Sequence, residues 1–442
     1  MSPPSCSLHI LITGAGIAGL TAAAALRRAG HSVHVYERST LAHEVGAAIM
    51  VPPNAGRPLL AWGLDARRAR LVCARNVVRA RGDSLALLHE ESLEGYEEKY
   101  GAPWLLSHRV DLHAELWDLA VAPSGGEVGH VQMHLGKEVV AYDAEAPSLT
   151  LADGEVVHGD MIVIADGVHS LGVETVLGKA NPAQPQDLYN FCYRFLIPTE
   201  DIEADAETKY WTEDDDGRIK FYLGDKKRIA SYPCRDGQVH NFVAIFHNEH
   251  QSSMKAEDWQ APVEKAKLLN KFSDFHPRLL AVLNKATDIK QWPLLYRAPI
   301  PTWTKGKVVL AGDAAHPMLP HQGQGGAQAI EDGVALGIAL CGVTDGAQIP
   351  GRIAAWETIR RVRGSVVQVF SNAGQDEAEL VQREAAKFIS LAQVPRNPAE
   401  FHTYNLGYDI VGHAVRVLRE TQPEFSLPKN FFLFPDRGGE AA

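Results

Sequence analysis

Cysteine is scarce in this 442-residue chain: Cys6, Cys73, Cys192, Cys234 and Cys341 are odd in number, far apart, and include no Cys-x-x-Cys pair. That excludes a disulfide framework and a zinc-ligand spacing, and it fits a reducing compartment, so a cytoplasmic location is expected. There is no Asn-x-Ser/Thr acceptor, and Met1–His9 lacks a basic start followed by an apolar run, so secretion has no support. Basic residues are outnumbered, 43 Lys+Arg against 54 Asp+Glu, for a formal charge of −11. A broad polyanion-binding surface is therefore disfavoured, and nucleic acid is not an expected partner. Internal repeats and long low-complexity segments are absent. A metal site also lacks ligands: His247-Asn-Glu-His250 is polar and has no third ligand, so it reads as a solvated loop. The uncharged stretch Ile10–Leu26 approaches a membrane span in length, but Gly14, Gly16 and Gly19 interrupt it. A strand, turn and helix account for it better, and no membrane anchor is expected.

What is present is the material of a large core. Hydrophobic residues make up 45% of the chain and charged residues 22%, a balance that folds rather than stays disordered. The length allows roughly two to four domains. Leu8–Thr13 is a branched, apolar run followed by glycines and an alanine-rich helical stretch to Ala29, and His31–Glu37 alternates as a second strand. This is a βαβ unit, so the opening domain is α/β. Residues Gly46–Pro58 read as a loop, followed by helical patches, the segment Trp104–Arg109 and a helix from about Asp111. Short alternating strands are expected over Lys137–Ala165. From about Leu188 to His247, strands separated by Asp214–Gly217, Gly224-Asp225 and Asp236-Gly237 predict an antiparallel sheet. After a helical region near Ala261–Leu283, Lys307–Ala311 returns as a buried strand feeding a long helix near Gly326. The chain from about Ala354 is helical and charged, then ends in a Pro/Phe/Gly-rich tail.

Gly14-Ala-Gly16-Ile-Ala-Gly19 lies between the first strand and helix, with Glu37 closing the next strand. The first glycine permits the tight turn, the second admits a pyrophosphate against the backbone, and the third lets helix and strand pack closely. The helix N-terminus offers free N–H groups to phosphate, and Glu37 would accept hydrogen bonds from an adenosine ribose. This favours a dinucleotide without separating FAD from NAD.

Further along, Val308-Val-Leu-Ala-Gly-Asp313-Ala-Ala-His-Pro317 places an acid at the C-terminal end of a buried strand, beside a second glycine-lined helix start at Gly323-Gln-Gly325-Gly326. With this block the chain resembles the class A flavoprotein aromatic hydroxylases, the single-component FAD monooxygenases of the salicylate and 6-hydroxynicotinate hydroxylase type, including fungal secondary-metabolism members. The resemblance runs through Gly14–Gly19, Glu37-Arg38, Gly46-Ala-Ala48-Ile49, Ser107-His-Arg109-Val-Asp-Leu112, Asp166-Gly167 and Gly312–Asp332. It implies a Rossmann-like FAD-binding domain in two parts, 1–175 and 291–365, an inserted antiparallel-sheet substrate domain, 176–290, and a helical C-terminal region, 366–442. By the same resemblance Gly14, Gly16, Gly19, Glu37, Arg38, Ala48, Arg109, Asp166, Asp313, Gly323, Gly325 and Gly326 hold FAD. Asp313 would meet the ribityl chain, Arg109 the ribose and phosphate region, and Asp166-Gly167 both FAD and the transient NADH or NADPH. Two positions depart from the pattern: Ile164 stands where glycine is common and Val173 where arginine is usual. The second puts docking of the reductant in question.

The resemblance implies insertion of one oxygen atom from O₂ into an aromatic or indole-like small molecule through a flavin C4a-hydroperoxide, in a monomer or homodimer. The rivals are a flavin oxidase or dehydrogenase without oxygen insertion, and a non-catalytic flavin-binding redox partner. Intact Asp313 and the glycine-rich loop argue against the last. His321 follows Pro320 in the loop expected to pass the flavin ring, where it could exchange a proton with substrate or be merely structural. Arg228 and Tyr232 are four apart, so a regular strand puts them on one face; they resemble a substrate-contacting pair, and an arginine there would favour an anionic phenolate or carboxylate. Arg194 resembles another substrate-facing arginine. Tyr404–Asp409 resembles a late tyrosine-rich signature expected to serve packing, and 366–386 a covering or dimer helix.

Overall fold

The computed structural model describes residues 7–40, 47–122, 129–185, 191–213, 215–247, 261–373 and 378–432. Cys6, Gly46, Asp214, Asn248–His250 and the tail from 433 lie outside the described residues. The chain runs through β1 (His9–Thr13), α1 (Ile17–Arg28), β2 (Ser32–Glu37), β3 (Ala48–Val51), α2 (Pro53–Trp62), β4 (Asn76–Arg81), β5 (Leu87–Ser92), β6 (Leu105–His108), α3 (Arg109–Val121), β7 (Val131–Leu135) and β8 (Met161–Ile164). It continues through β9 (Phe191–Pro198), β10 (Arg218–Gly224), β11 (Lys227–Cys234), β12 (Val239–Phe246), α4 (Lys265–Lys271), α5 (Pro277–Leu283), β13 (Lys290–Pro293) and β14 (Val308–Leu310). The helices α6 (Gly325–Leu340), α7 (Ile349–Ala373), α8 (Pro398–Leu406) and α9 (Ile410–Thr421) complete it.

The first layer is a parallel sheet in the order β14-β8-β1-β2-β7, with Thr304–Lys305 antiparallel on its edge. Ile10, Leu11, Ile12, Val33, Val35, Met161, Ile162, Val163 and Ile164 are fully buried, as continuous apolar strands of a covered parallel sheet should be. The alanines of α1 have a specific use. A Cβ on Gly333 of α6 would lie 2.6 Å from the Ala22 amide nitrogen, and one on Gly337 would collide with Ala25. Small residues on both helices let them pack in close contact, and the advancing register runs them side by side with their N-termini at the same end.

The second layer is an eight-stranded sheet, Ala261–Pro262 followed by β13-β9-β12-β11-β10-β4-β5. It is antiparallel except for β4 against β10, which is parallel. This corrects two sequence expectations. Residues 76–92, read as helical patches inside the 1–175 segment, are strands of this sheet, and Gly46–Pro58, read as a loop, contains β3 and the start of α2. Period-2 alternation divides the faces. Phe191, Tyr193, Phe195, Ile229, Phe242 and Phe246 pack beneath with Leu268, Phe272, Leu279 and Val282 of the α4–α5 region. The residues between them face the first layer.

α6 is joined to α7 by charges removed from water. The Glu331 carboxylate accepts from Arg360 Nη1 at 2.6 Å, Arg363 Nη2 at 3.2 Å and Asn54 Nδ2 at 2.6 Å. Asp332 accepts from Arg360 Nε at 2.9 Å, His316 Nε2 at 2.6 Å and the Gly312 amide at 2.8 Å. Burial alone would raise both carboxyl pKa values, but Arg363 and Arg360 for Glu331, and His316 and Arg360 for Asp332, hold them below the ordinary range. Tyr404 and Tyr408 cover Arg363, with ring centroids 4.9 and 4.4 Å from its guanidinium carbon, which gives the tyrosine-rich segment its packing role. Removing one partner strands buried charge, so Arg360→Met should cost about 3–5 kcal/mol, measured as a lower urea midpoint. A loss no larger than that of an exposed ion pair, about 0–1 kcal/mol, would contradict this account of the network.

Candidate active site

A cavity of about 620 Å³ lies between the two layers. Its floor is the upper face of the second sheet. Arg228, Ala230 and Tyr232 of β11 alternate into it as the spacing predicts, alongside Val243 and Ile245 of β12, Ile219, Phe221 and Leu223 of β10, and Arg194 of β9. His321 meets this floor from the loop before α6: Arg228 Nη2 contacts His321 Nδ1. Burial, reinforced by the Arg228 charge, pushes the His321 pKa well below its usual value. With a guanidinium donor facing Nδ1, the imidazole proton belongs on Nε2, so His321 is a neutral donor rather than a ready proton acceptor at neutral pH. Tyr232 is 5% exposed, and burial raises its phenol pKa above the ordinary value. The Arg194 guanidinium leans over Trp292, 5.6 Å from the ring centroid.

The opposite wall is built by the first layer. Gly16, Arg109, Asp313 and Ala48 line it, as do Gly323, Gly325 and Gly326 at the start of α6. Neither α1 nor α6 has a side-chain cap at its N-terminus or an acid in its first turn, so both present bare N–H groups to the same space. Gly14 has φ +90° and donates its amide to the Tyr36 carbonyl at 2.8 Å. A Cβ on Gly19 would strike the Gly14 carbonyl, whereas one on Gly16 would meet nothing within 4 Å. Gly14 and Gly19 therefore shape the turn, and Gly16 leaves open room in front of it. Glu37 does not line the cavity: its Oε2 accepts from the Ala15 amide and its Oε1 from the Ser39 amide, both at 2.8 Å. Arg38 is exposed beyond it.

Asp313 follows β14 and is reachable through the cavity. The surrounding protein raises its carboxyl pKa, opposed by the charges of His316, Arg109 and Arg297. Asp166 sits off the wall, accepting from Tyr142 Oη at 2.8 Å, and burial raises its pKa as well. Ile164 is fully buried and fills the space where a Cβ on Gly172 would go, while Val173 is 2% exposed and packs in the core. That site holds no cation. Arg297 supplies one between the two acidic loops, donating to the Ala314 carbonyl at 3.0 Å and the Val168 carbonyl at 3.3 Å.

Residues 7–371 match the family described as FAD binding domain. The FAD-dependent monooxygenase cfoG of Aspergillus candidus is 43% identical over 439 residues, covering 97% of this chain and 99% of its own. Hispidin-3-hydroxylase of Neonothopanus nambi is 33% identical, over 85% of this chain and 90% of its own. The chain belongs to the FAD-binding-domain family of flavoprotein monooxygenases. A salicylate hydroxylase solved with its substrate shares the fold, with a TM-score of 0.73 at 22% identity, over 93% of this chain and 98% of that one.

The cofactor wall of this FAD-dependent monooxygenase fits the group. Gly16 leaves the space a pyrophosphate needs, two uncapped helix starts converge there, and Asp313 has no side-chain hydrogen bond to a described residue. Among the described residues there is no cluster of metal-ligating side chains, and no helix is long and apolar enough to cross a membrane. Sequence reading missed Arg79, which lines the floor from β4, and left Asp332, Arg360 and Arg297 unassigned. Asp332 already stood at the end of the quoted Gly312–Asp332 block, whereas Arg79 had no local signal once its segment was read as helical.

Asp313→Ala should purify with less flavin absorbance per protein while keeping its circular dichroism, because it removes a polar ligand rather than core volume; undiminished flavin content would remove Asp313 from the cofactor site. For His321 the folded pKa lies below the unfolded value of about 6.5. Between the two, the unfolded chain holds a proton that the folded chain lacks, so stability present above about pH 6.5 is lost as pH falls. The melting temperature of His321→Gln should therefore decline less on acidification than that of the parent, and parallel profiles would count against a buried neutral imidazole.

Proposed function

We propose that this enzyme uses NADH or NADPH and O₂ to hydroxylate an aromatic small molecule bound on the floor of the 620 Å³ cavity. One oxygen atom enters the ring, the other leaves as water, and the reduced nicotinamide supplies the two electrons. The observation that carries this reading is that a glycine-lined cofactor wall and a floor of apolar side chains and arginines share one cavity. FAD, held by Gly16, Ala48, Arg109, Asp313 and the start of α6, would take electrons from the nicotinamide and activate O₂.

The chain's own residues then orient and protect. Arg228 stabilises an oxyanion on the substrate, and the neutral His321 beside it holds that guanidinium in place. Tyr232, whose phenol stays protonated, donates a second hydrogen bond that fixes the ring. Leu319, Met50 and Trp104 help line the cavity and exclude water, because a wet site loses activated oxygen as H₂O₂. A screen of simple phenols and indoles for stimulated NAD(P)H oxidation, with mass analysis of products, tests the reading. Oxidation that yields only H₂O₂ with every compound would overturn it.

Positioning should matter more than reduction. A displacement of about 1 Å can cost on the order of a hundredfold in rate, so Tyr232→Phe and Arg228→Ala should release more H₂O₂ per NAD(P)H consumed, with FAD content unchanged. Parental coupling in both variants would remove these side chains from the substrate site.

A further inference from the structure

The strand register gives the floor a length as well as a chemistry. Arg194 pairs with Val243, Val243 with Ala230, Ala230 with Phe221, and Phe221 with Arg79. All five residues line the cavity. They form one row across β9, β12, β11, β10 and β4, apolar in the middle and ending in an arginine at each side. Four strand spacings separate the end Cα atoms, about 19 Å at about 4.8 Å each, several times the width of a single benzene ring. The Arg194 guanidinium leans outward over Trp292, while that of Arg79 lies 5.8 Å from the Phe221 ring and so remains over the row.

The Arg79 charge is only partly offset there, by Glu91. Among the described residues no carboxylate lies within ion-pairing distance of it. The nearest acid electrostatically, Glu91, accepts instead from Tyr96 Oη at 2.6 Å and makes a 3.1 Å contact with His402 Nδ1. Burial lowers the Arg79 pKa, with Glu91 opposing. A half-buried guanidinium over an aromatic ring, facing a cavity whose one lining carboxylate among the described residues, Asp313, lies on the cofactor wall, suits an anionic ligand group.

We propose that the cavity selects an elongated aromatic acid of two or more rings, lying along the Val243-Ala230-Phe221 row with its carboxylate on Arg79. This specificity rests on the proposed aromatic hydroxylation but is tested without turnover. Calorimetric titration of the oxidised, FAD-loaded enzyme with benzoate, biphenyl-4-carboxylate and biphenyl-4-carboxamide separates length from charge. The biphenyl acid should bind at least about tenfold more tightly than either other probe, Arg79→Gln should reduce its advantage over the amide to within about twofold, and Arg79→Lys should restore part of it. Equal affinity for the acid and its amide, no measurable binding of the acid, or full discrimination in Arg79→Gln would overturn the proposal. Because no NAD(P)H is present, failure here leaves oxygen insertion untouched, and an enzyme that only makes H₂O₂ could still pass this test.

Discussion

The buried carboxylate of Asp332 ties the cofactor wall to the rest of the molecule. Its oxygens take the Gly312 amide at 2.8 Å, His316 Nε2 at 2.6 Å and Arg360 Nε at 2.9 Å, all away from solvent. Gly312, at φ +61°, turns the chain so that Asp313 faces the cavity. Next to it, Glu331 reaches Asn54, whose amide also donates to Gln324 at 3.1 Å, the residue that opens α6. One pair of adjacent acids thus fixes both the strand end that carries Asp313 and the helix start that carries Gly325 and Gly326. The network's value lies in geometry more than in stability, since buried ion pairs roughly repay their own desolvation.

The floor depends on a different constraint, the alternation of the second sheet. The same strands that pack Phe195, Phe242, Ile229 and Tyr222 below present Arg194, Val243, Ala230 and Phe221 above. A floor that carries arginines is stable here because the opposite face supplies the apolar burial that holds the strands. β4 and β5 arrive from a distant part of the chain and lengthen this floor, which is how Arg79 comes to share a row with Arg194.

Legibility in the sequence followed the range of the interactions. The βαβ start, the acid after β14 and the Arg228–Tyr232 spacing were readable because turn chemistry and strand periodicity act within a few residues. Long-range pairing was not: nothing near residue 79 announces a parallel partner at residue 221. Glu37 was read as a ribose ligand from its place at the end of β2, and the structure adds what no local signal gives, that its oxygens also accept from the Ala15 and Ser39 amides. His321 was left open between a proton exchanger and a structural residue, and only the fold reveals the guanidinium beside it.

The central claim is that the cofactor wall and the arginine-bearing floor form one oxygen-inserting site. Turnover of an accepted substrate under isotopically labelled O₂ tests this most directly. The account predicts product carrying one labelled oxygen atom in close to equal amount with NAD(P)H consumed and with little H₂O₂. Unlabelled product, with the label recovered as H₂O₂, would show that electrons reach O₂ without insertion and would contradict it.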